Sequence, residues 1–243
     1  MSNRPGVATI VRYAASTLII YLVVTTSLVA AYHIPSRSMR PTLRDGDWLY
    51  VNHALYGAPI PFTHAHLPAV REPARGDVSV FVSPFQADEE AAGLDATPLL
   101  VKRIVGTAGD TLYMRADQLF VNGRPYAIPD GNVGTATSLT AEDDTSALFD
   151  WQHSIELAST RFGPPPPQPT LEQWGPLLIP PGTYFMLGDN RHESKDSRYW
   201  GLVPRENIRG TPLLVYFSYR NVRDRRAPNV TAVRWERIGK VIR

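Results

Sequence analysis

Ser38 lies in the run Ile34-Pro35-Ser36-Arg37-Ser38-Met39-Arg40-Pro41-Thr42-Leu43, six residues beyond an uncharged stretch over residues 13–32. A serine hydroxyl is a weak nucleophile until a base takes its proton, so the chemistry turns on which base the chain offers. Histidine is the usual partner. Of the six histidines, His64 and His66 lie in a proline-flanked loop, His33 follows the uncharged stretch, His53 ends a predicted strand and His153 stands in the stretch 124–180, read below as an insertion. Only His192 lies in a motif-like segment, and although a His/Asp triad stays open, no spacing favours it. Lysine is the other route, because a neutral amine is a competent base once desolvation lowers its pKa. Lys102 sits in Leu99-Leu100-Val101-Lys102-Arg103-Ile104-Val105, where strand alternation puts Leu100, Lys102 and Ile104 on one face and Val101, Arg103 and Val105 on the other. If the first face is the core face, the ammonium is buried. Half neutrality near pH 8 needs a shift of about 2 to 3 units and costs about 3 to 4 kcal/mol, within the range of buried lysines. Taken alone, a Lys-Arg pair in a strand is more often a snorkelling surface feature.

The elements that must hold these groups begin with the stretch 13–32. As a helix its 20 residues reach about 30 Å, the thickness of a bilayer's hydrocarbon core. Arg12 stands just outside it, and Tyr13 and Tyr32 fall at headgroup level. A cleavable secretory signal is the alternative, with Arg4 and Arg12 before the apolar run and Val29-Ala30-Ala31 at its end, but the run exceeds the roughly 7 to 15 residues of a usual signal core. Six extended residues span about 20 Å, so Ser38 is held near the membrane surface and its target is expected to be membrane-bound too. Arginines flank both ends (Arg4 and Arg12; Arg37, Arg40 and Arg44) and leave the orientation open.

Beyond the anchor, short runs rich in β-branched and aromatic residues are punctuated by Gly, Pro and Asp, which predicts a mainly β domain. Strands are predicted at 48–52, 78–83, 99–105, 183–187 and 213–219, and a hairpin joins 111–115 to 118–121 across Ala116-Asp117, followed by Asn122-Gly123. From about residue 124 to 180 the composition changes, first to Gly, Thr, Ser and acidic residues, then to Gly163-Pro-Pro-Pro-Pro-Gln-Pro169. That stretch reads as an inserted β/loop subdomain, its proline run a stiff polyproline II spacer. The predicted organisation is a short cytoplasmic tail (1–12), a transmembrane helix (13–32), a catalytic β domain (33–123 and 181–243) and the insertion (124–180).

With 243 residues, 43% of them hydrophobic, the chain can bury a real core. A net charge of +2, spread evenly, argues against nucleic acid, and the basic stretch 221–226 reads as a solvated loop whose charge suits a place near anionic lipid. The absence of cysteine excludes disulfides and thiolate chemistry and fits an exported domain. Neither His64-x-His66 nor any acidic cluster makes a convincing metal-ligand set, and no metal or other cofactor is expected.

Five segments occur in order: Ser36-x-Ser38-Met39-x-Pro41-Thr42-Leu43 after the apolar span; Gly46-Asp47-Trp48; Arg75-Gly76-Asp77-Val78; Val101-Lys102-Arg103-Ile104-Val105-Gly106 with Gly109-Asp110; and Gly188-Asp189-Asn190-Arg191-x-x-Ser194-x-Asp196-Ser197-Arg198. With them the chain strongly resembles the type I signal peptidases, membrane-bound Ser/Lys endopeptidases that remove signal peptides from exported preproteins. The resemblance runs to the C-terminal Arg234-Trp-Glu-Arg-Ile-Gly-Lys-Val-Ile-Arg243 and omits only the insertion. It implies a signal-peptidase-like β-barrel or sheet fold, Ser38 as nucleophile and Lys102 as general base. It implies that Ser36 and the Ser38 backbone N–H serve the oxyanion, that Ser194 holds the lysine, and that Asp196 and Arg198 brace their loop. Ile34, Met39, Leu43, Leu100 and Val101 match pocket linings that admit small side chains at −1 and −3 of an extended peptide. The implied partners are preprotein signal peptides and the bilayer of the inner (plasma) membrane, with the catalytic domain on the extracytoplasmic side. Where the family often has Asp-Asn after Gly-Asp-Asn-Arg, this chain has His192-Glu193, which puts the local hydrogen bonds in question. Two other readings share these residues: a specialised peptidase that matures a conjugation or pilin substrate, and a tethered β module that binds without cleaving.

Overall fold

The computed structural model describes residues 6–23, 28–58, 65, 67–84, 99–127, 146–158, 161–222 and 230–243, so His64 and His66 and much of the composition change after residue 127 lie outside the described residues. The N-terminal helix α1 (Val7–Val23) is followed by strand β1 (Val29–His33). The expected helix over 13–32 is thereby corrected: it starts earlier, and residues 29–32 are extended. A continuous apolar run has no periodicity to separate strand from helix, and here pairing decides. β1 lies antiparallel on β2 (Asp47–Asn52), with Val29 opposite Asn52 and His33 opposite Trp48. Among the described residues no helix is long and apolar enough to cross a membrane.

The rest is mainly β, with two antiparallel sheets. The larger runs β1-β2-β11-β3-β4-β9-β10, where β3 is Val78–Val82, β4 Leu99–Gly106, β9 Thr183–Leu187, β10 Val203–Pro204 and β11 Ile208–Val222; β12 (Val230–Val233) pairs with the far end of β11. β11 curls the sheet. Its 15 residues pair in turn with β3, β2 and β12, with register shifts along the way. The smaller sheet runs β7-β6-β5-β8, from β5 (Thr111–Arg115), β6 (Gln118–Val121), β7 (Arg124–Pro125) and β8 (Trp174–Leu178). β7 and β8 belong to the segment 124–180, so the boundary drawn at residue 124 passes through a sheet. The hairpin at Ala116-Asp117 has both central residues at positive φ (49° and 64°), and Asn122-Gly123 (54° and 82°) turns β6 into β7 in the same way, the geometry that two-residue hairpins favour.

Three apolar clusters fix β4 in space. Leu100 and Ile104 join Phe81, Tyr184, Met186 and Val203 on one face, while Val101 packs with Val80, Leu49 and Val215 on the other. The alternation read from the sequence holds, but both faces are covered. Neither Lys102 nor Arg103 therefore reaches solvent.

Candidate active site

β9 pairs with β4 only from Arg103 onward, with Arg103 opposite Leu187. At Gly188 the chain turns away, which leaves the edge of β4 before Arg103 without a neighbour on that side among the described residues. The Ser38 turn fills the corner. Its backbone is closed by Arg40 N–H to Arg37 O (3.0 Å) and Leu43 N–H to Met39 O (2.8 Å), and Asn190 N–H donates to Ser38 O at 3.0 Å. Met39 and Leu43 anchor the turn in the core, which holds its polar side toward the end of β4.

There the Lys102 Nζ stands 2.6 Å from the Ser38 Oγ. Both are buried, Lys102 at 4% and Ser38 at 5% exposure. Burial brings the lysine down to about 8; the Asp196 carboxylate partly opposes this and the Arg198 guanidinium adds to it. A substantial neutral fraction near neutral to mildly alkaline pH follows, and a neutral amine can accept the Ser38 proton. Ser36 Oγ lies 3.3 Å from Ser38 Oγ, at the entry to the same turn.

The other sequence-predicted residues take defined places. Asp196 and Arg198 form a fully buried, two-point pair (2.8 and 3.0 Å), not a surface bridge. Burial pushes the Asp196 carboxyl up, but the Arg198 charge and the N–H of Gly188 (3.1 Å) bring it below the usual carboxylate range. Arg198 also donates to Arg191 O at 2.7 Å, so the pair fastens the loop that follows Gly188. The Ser194 hydroxyl is buried over Gly188 and makes no bond of normal length to Lys102 or to any other described residue, although it helps keep Asp196 ionised. A Cβ on Gly188 would fall 2.3 Å from Ser194 Oγ and 2.6 Å from Ser38 O, so only glycine fits between the two loops. Both ring nitrogens of His192 are buried without a hydrogen-bond partner among the described residues, so His192 is not bonded to Ser38. Of the residues matched to pockets, Leu43 is a fully buried core residue with no surface for a ligand, Ile34 and Met39 are nearly so, and Leu100 and Val101 are half-buried.

Sequence reasoning missed two buried ionic networks that hold the corner rigid. Arg103, 1% exposed, makes a two-point pair with Asp189 (2.8 and 2.7 Å) and donates to Gly76 O at 2.7 Å. Thr42 donates to the same carboxylate at 2.6 Å, tying the Ser38 turn to the Gly188 turn. Asp47 is held by Arg237, by Ser218 (2.7 Å) and by Arg44 N–H (2.8 Å), and Arg237 reaches Thr42 O at 3.0 Å. The signal was conditional: alternation sends Lys102 and Arg103 to opposite faces, and if both faces are covered the arginine, which cannot lose its proton, must have an acid.

The family model for signal peptidase, peptidase S26, matches residues 7–217. The chain belongs to this peptidase family. It is a type I signal peptidase and a hydrolase. This peptidase is 35% identical over 229 residues to signal peptidase I of Pseudomonas aeruginosa, with 89% of the chain and 74% of that protein covered. Identity is 32% over 241 residues to signal peptidase I of Haemophilus influenzae (83% and 67% covered) and 30% over 226 residues to that of Aquifex aeolicus (79% and 77% covered).

Proposed function

We propose that this peptidase removes N-terminal signal peptides from preproteins by a Ser38/Lys102 dyad, cutting after small residues at −1 and −3. The observation that carries this reading is the 2.6 Å approach of a buried lysine amine, with its pKa near 8, to the hydroxyl of a buried serine. The neutral amine takes the Ser38 proton as Oγ attacks the scissile carbonyl; the ammonium then protonates the leaving amine, and a water activated by the same lysine hydrolyses the acyl-enzyme. Ser36 Oγ and the Ser38 backbone N–H receive the oxyanion in this reading, which the closeness of the two serines supports. Ser194 packs over Gly188 and supports Asp196, which moderates the amine's pKa. The open edge of β4 offers main-chain partners to an extended substrate, with Leu100 and Val101 toward its side chains.

The N-terminal segment is the membrane anchor in this reading. α1 exposes Val7, Ile10, Val11 and Leu18 and packs against no described core, which suits an apolar surrounding. Its 17 residues span about 26 Å, roughly one turn short of a hydrocarbon core. The β domain then lies on the extracytoplasmic face, where translocated cleavage sites emerge. The purified full-length chain should cleave a preprotein with alanines at −1 and −3, and Ser38→Ala and Lys102→Ala should each abolish cleavage while circular dichroism is retained. Normal turnover by Lys102→Ala would move the base elsewhere, His192 first.

A further inference from the structure

On the surface next to the Ser38 turn, between the end of β1 and the β11–β12 pair, lies a cavity of about 800 Å³ whose lining includes Arg37, Arg40, Arg220, Arg234, Asp45 and Tyr219. Four guanidiniums face one carboxylate there. Asp45 is already paired with Arg40, and the Arg234 Nη1 is turned to Asp45 O (2.9 Å) and Ser218 Oγ (3.3 Å), with the buried Asp47 carboxylate 4.0 Å away. Arg37 and Arg220 are exposed and have no acidic partner among the described residues. The cavity therefore carries an excess of positive charge in a concave site, which favours an anion with several acceptor oxygens.

A second cavity, of about 630 Å³, adjoins it and is lined by Trp48, Tyr216, Phe217, Tyr219 and Thr231. Tyr219 belongs to both. The His33 ring is stacked on it (6.0 Å, 4° between planes) and leans on Trp48 at 5.0 Å, making a continuous aromatic wall from the cationic chamber to the aromatic shelf. Phe217 and Tyr50 leave large apolar surface exposed beside the shelf. A free phosphate would use only the chamber, and an acidic peptide has no need of the shelf. A ligand that uses both is anionic at one end and apolar at the other.

We propose that the two cavities form one site for an anionic phospholipid, its phosphate and headgroup held by Arg37, Arg220 and Arg234 and its glycerol and upper acyl chains lying on Trp48, Tyr216 and Phe217. Arginine pairs phosphate in a two-point manner, and Trp and Tyr favour the headgroup level, so both halves suit one molecule at a bilayer surface. Arg37 directly precedes Ser38, so an occupied site fixes the height of the catalytic turn above the membrane. The proposal rests on the reading that this domain works at a bilayer.

The test uses the full chain in neutral detergent micelles, with tryptophan fluorescence followed as lipids brominated on their acyl chains are added. Brominated phosphatidylglycerol should quench at a mole fraction at least tenfold lower than brominated phosphatidylcholine. Trp48→Phe should remove that component, and the Arg37→Gln/Arg220→Gln double variant, which alters two exposed side chains, should abolish the preference. Equal midpoints for the two lipids, or an unchanged preference in the double variant, would overturn the proposal. So would millimolar inorganic phosphate that blocks quenching, marking a free-anion site, or a glutamate-rich peptide that binds through these arginines without lipid preference. Preprotein cleavage by the parent chain is read in parallel: equal midpoints for the two lipids with intact cleavage sink the lipid site alone, and absent cleavage with intact lipid selectivity sinks the peptidase mechanism alone.

Discussion

In the proposed dyad, Lys102 is useful to catalysis for the same reason that it is costly to the fold. Catalysis needs the neutral amine, so kcat/KM should rise with pH along a single ionisation near 8 and level off above it. A rise centred at pH 6 to 7 that moves with His192→Gln would assign the base to histidine instead. The stability consequence has the opposite emphasis. The folded pKa, about 8, lies below the unfolded value of about 10.4, so the unfolded chain binds more protons between these two pH values and stability rises with pH across that window. Below pH 8 the full penalty remains, about 3 kcal/mol for a shift of this size. Lys102→Met keeps the volume and removes the charge, so at pH 7 it should be inactive yet more stable, by up to about 3 kcal/mol, in urea unfolding. The gain should shrink as pH rises from 8 toward 10.4. A Lys102→Met protein less stable than its parent at pH 7 would mean that the amine sits in a better-solvated place than the structure gives it.

At the scale of the elements, β4 delivers two cations to opposite faces and needs a different device for each. Lys102 is made easier to deprotonate; Arg103 stays charged and is matched by Asp189. Asp189→Asn should leave the guanidinium buried without its counter-charge, at a cost of about 3 to 5 kcal/mol read from the urea midpoint. It should also loosen the Gly188–Asn190 turn that holds Ser38 O, so the turnover number should fall in the fraction that remains folded. Most of the strands were legible because each is a short β-branched or aromatic run between turn residues, and the hairpin at Ala116-Asp117 was legible from its spacing. β1 was not, since Val29-Ala30-Ala31-Tyr32 continues an apolar run and only its pairing with β2 reveals it. Ser38 and Lys102 were recognisable from motif resemblance, and strand alternation alone left the burial of Lys102 conditional. The pairs Arg103–Asp189 and Asp47–Arg237 join residues 86 and 190 positions apart, and no local pattern in either partner names the other.

Across the whole molecule, the smaller sheet is part of the same folding unit as the site. Leu112, Met114, Leu119, Val121, Trp174 and Leu177 from that sheet share one cluster with Val105 of β4 and with Phe185 and Leu187 of β9. The end of β4 beyond Lys102 and the strand leading to Gly188 are thus packed from behind by β5 and β6, and by β8 from the segment that composition alone sets apart. Trp174 stacks on Phe185 at 5.1 Å, directly in that contact. Leu112→Ala, in a fully buried position at the centre of the cluster, should cost about 2 to 5 kcal/mol. The loss should appear in one transition: circular dichroism, tryptophan fluorescence and residual cleavage should fall at the same urea concentration, shifted together from the parent. If the smaller sheet were an independent folding unit, fluorescence would change first, at low urea, while cleavage persisted to the parental midpoint. Coincident curves would instead mean that substitutions far from Ser38, on strands outside the catalytic motifs, set how much of the chain is active at a given temperature.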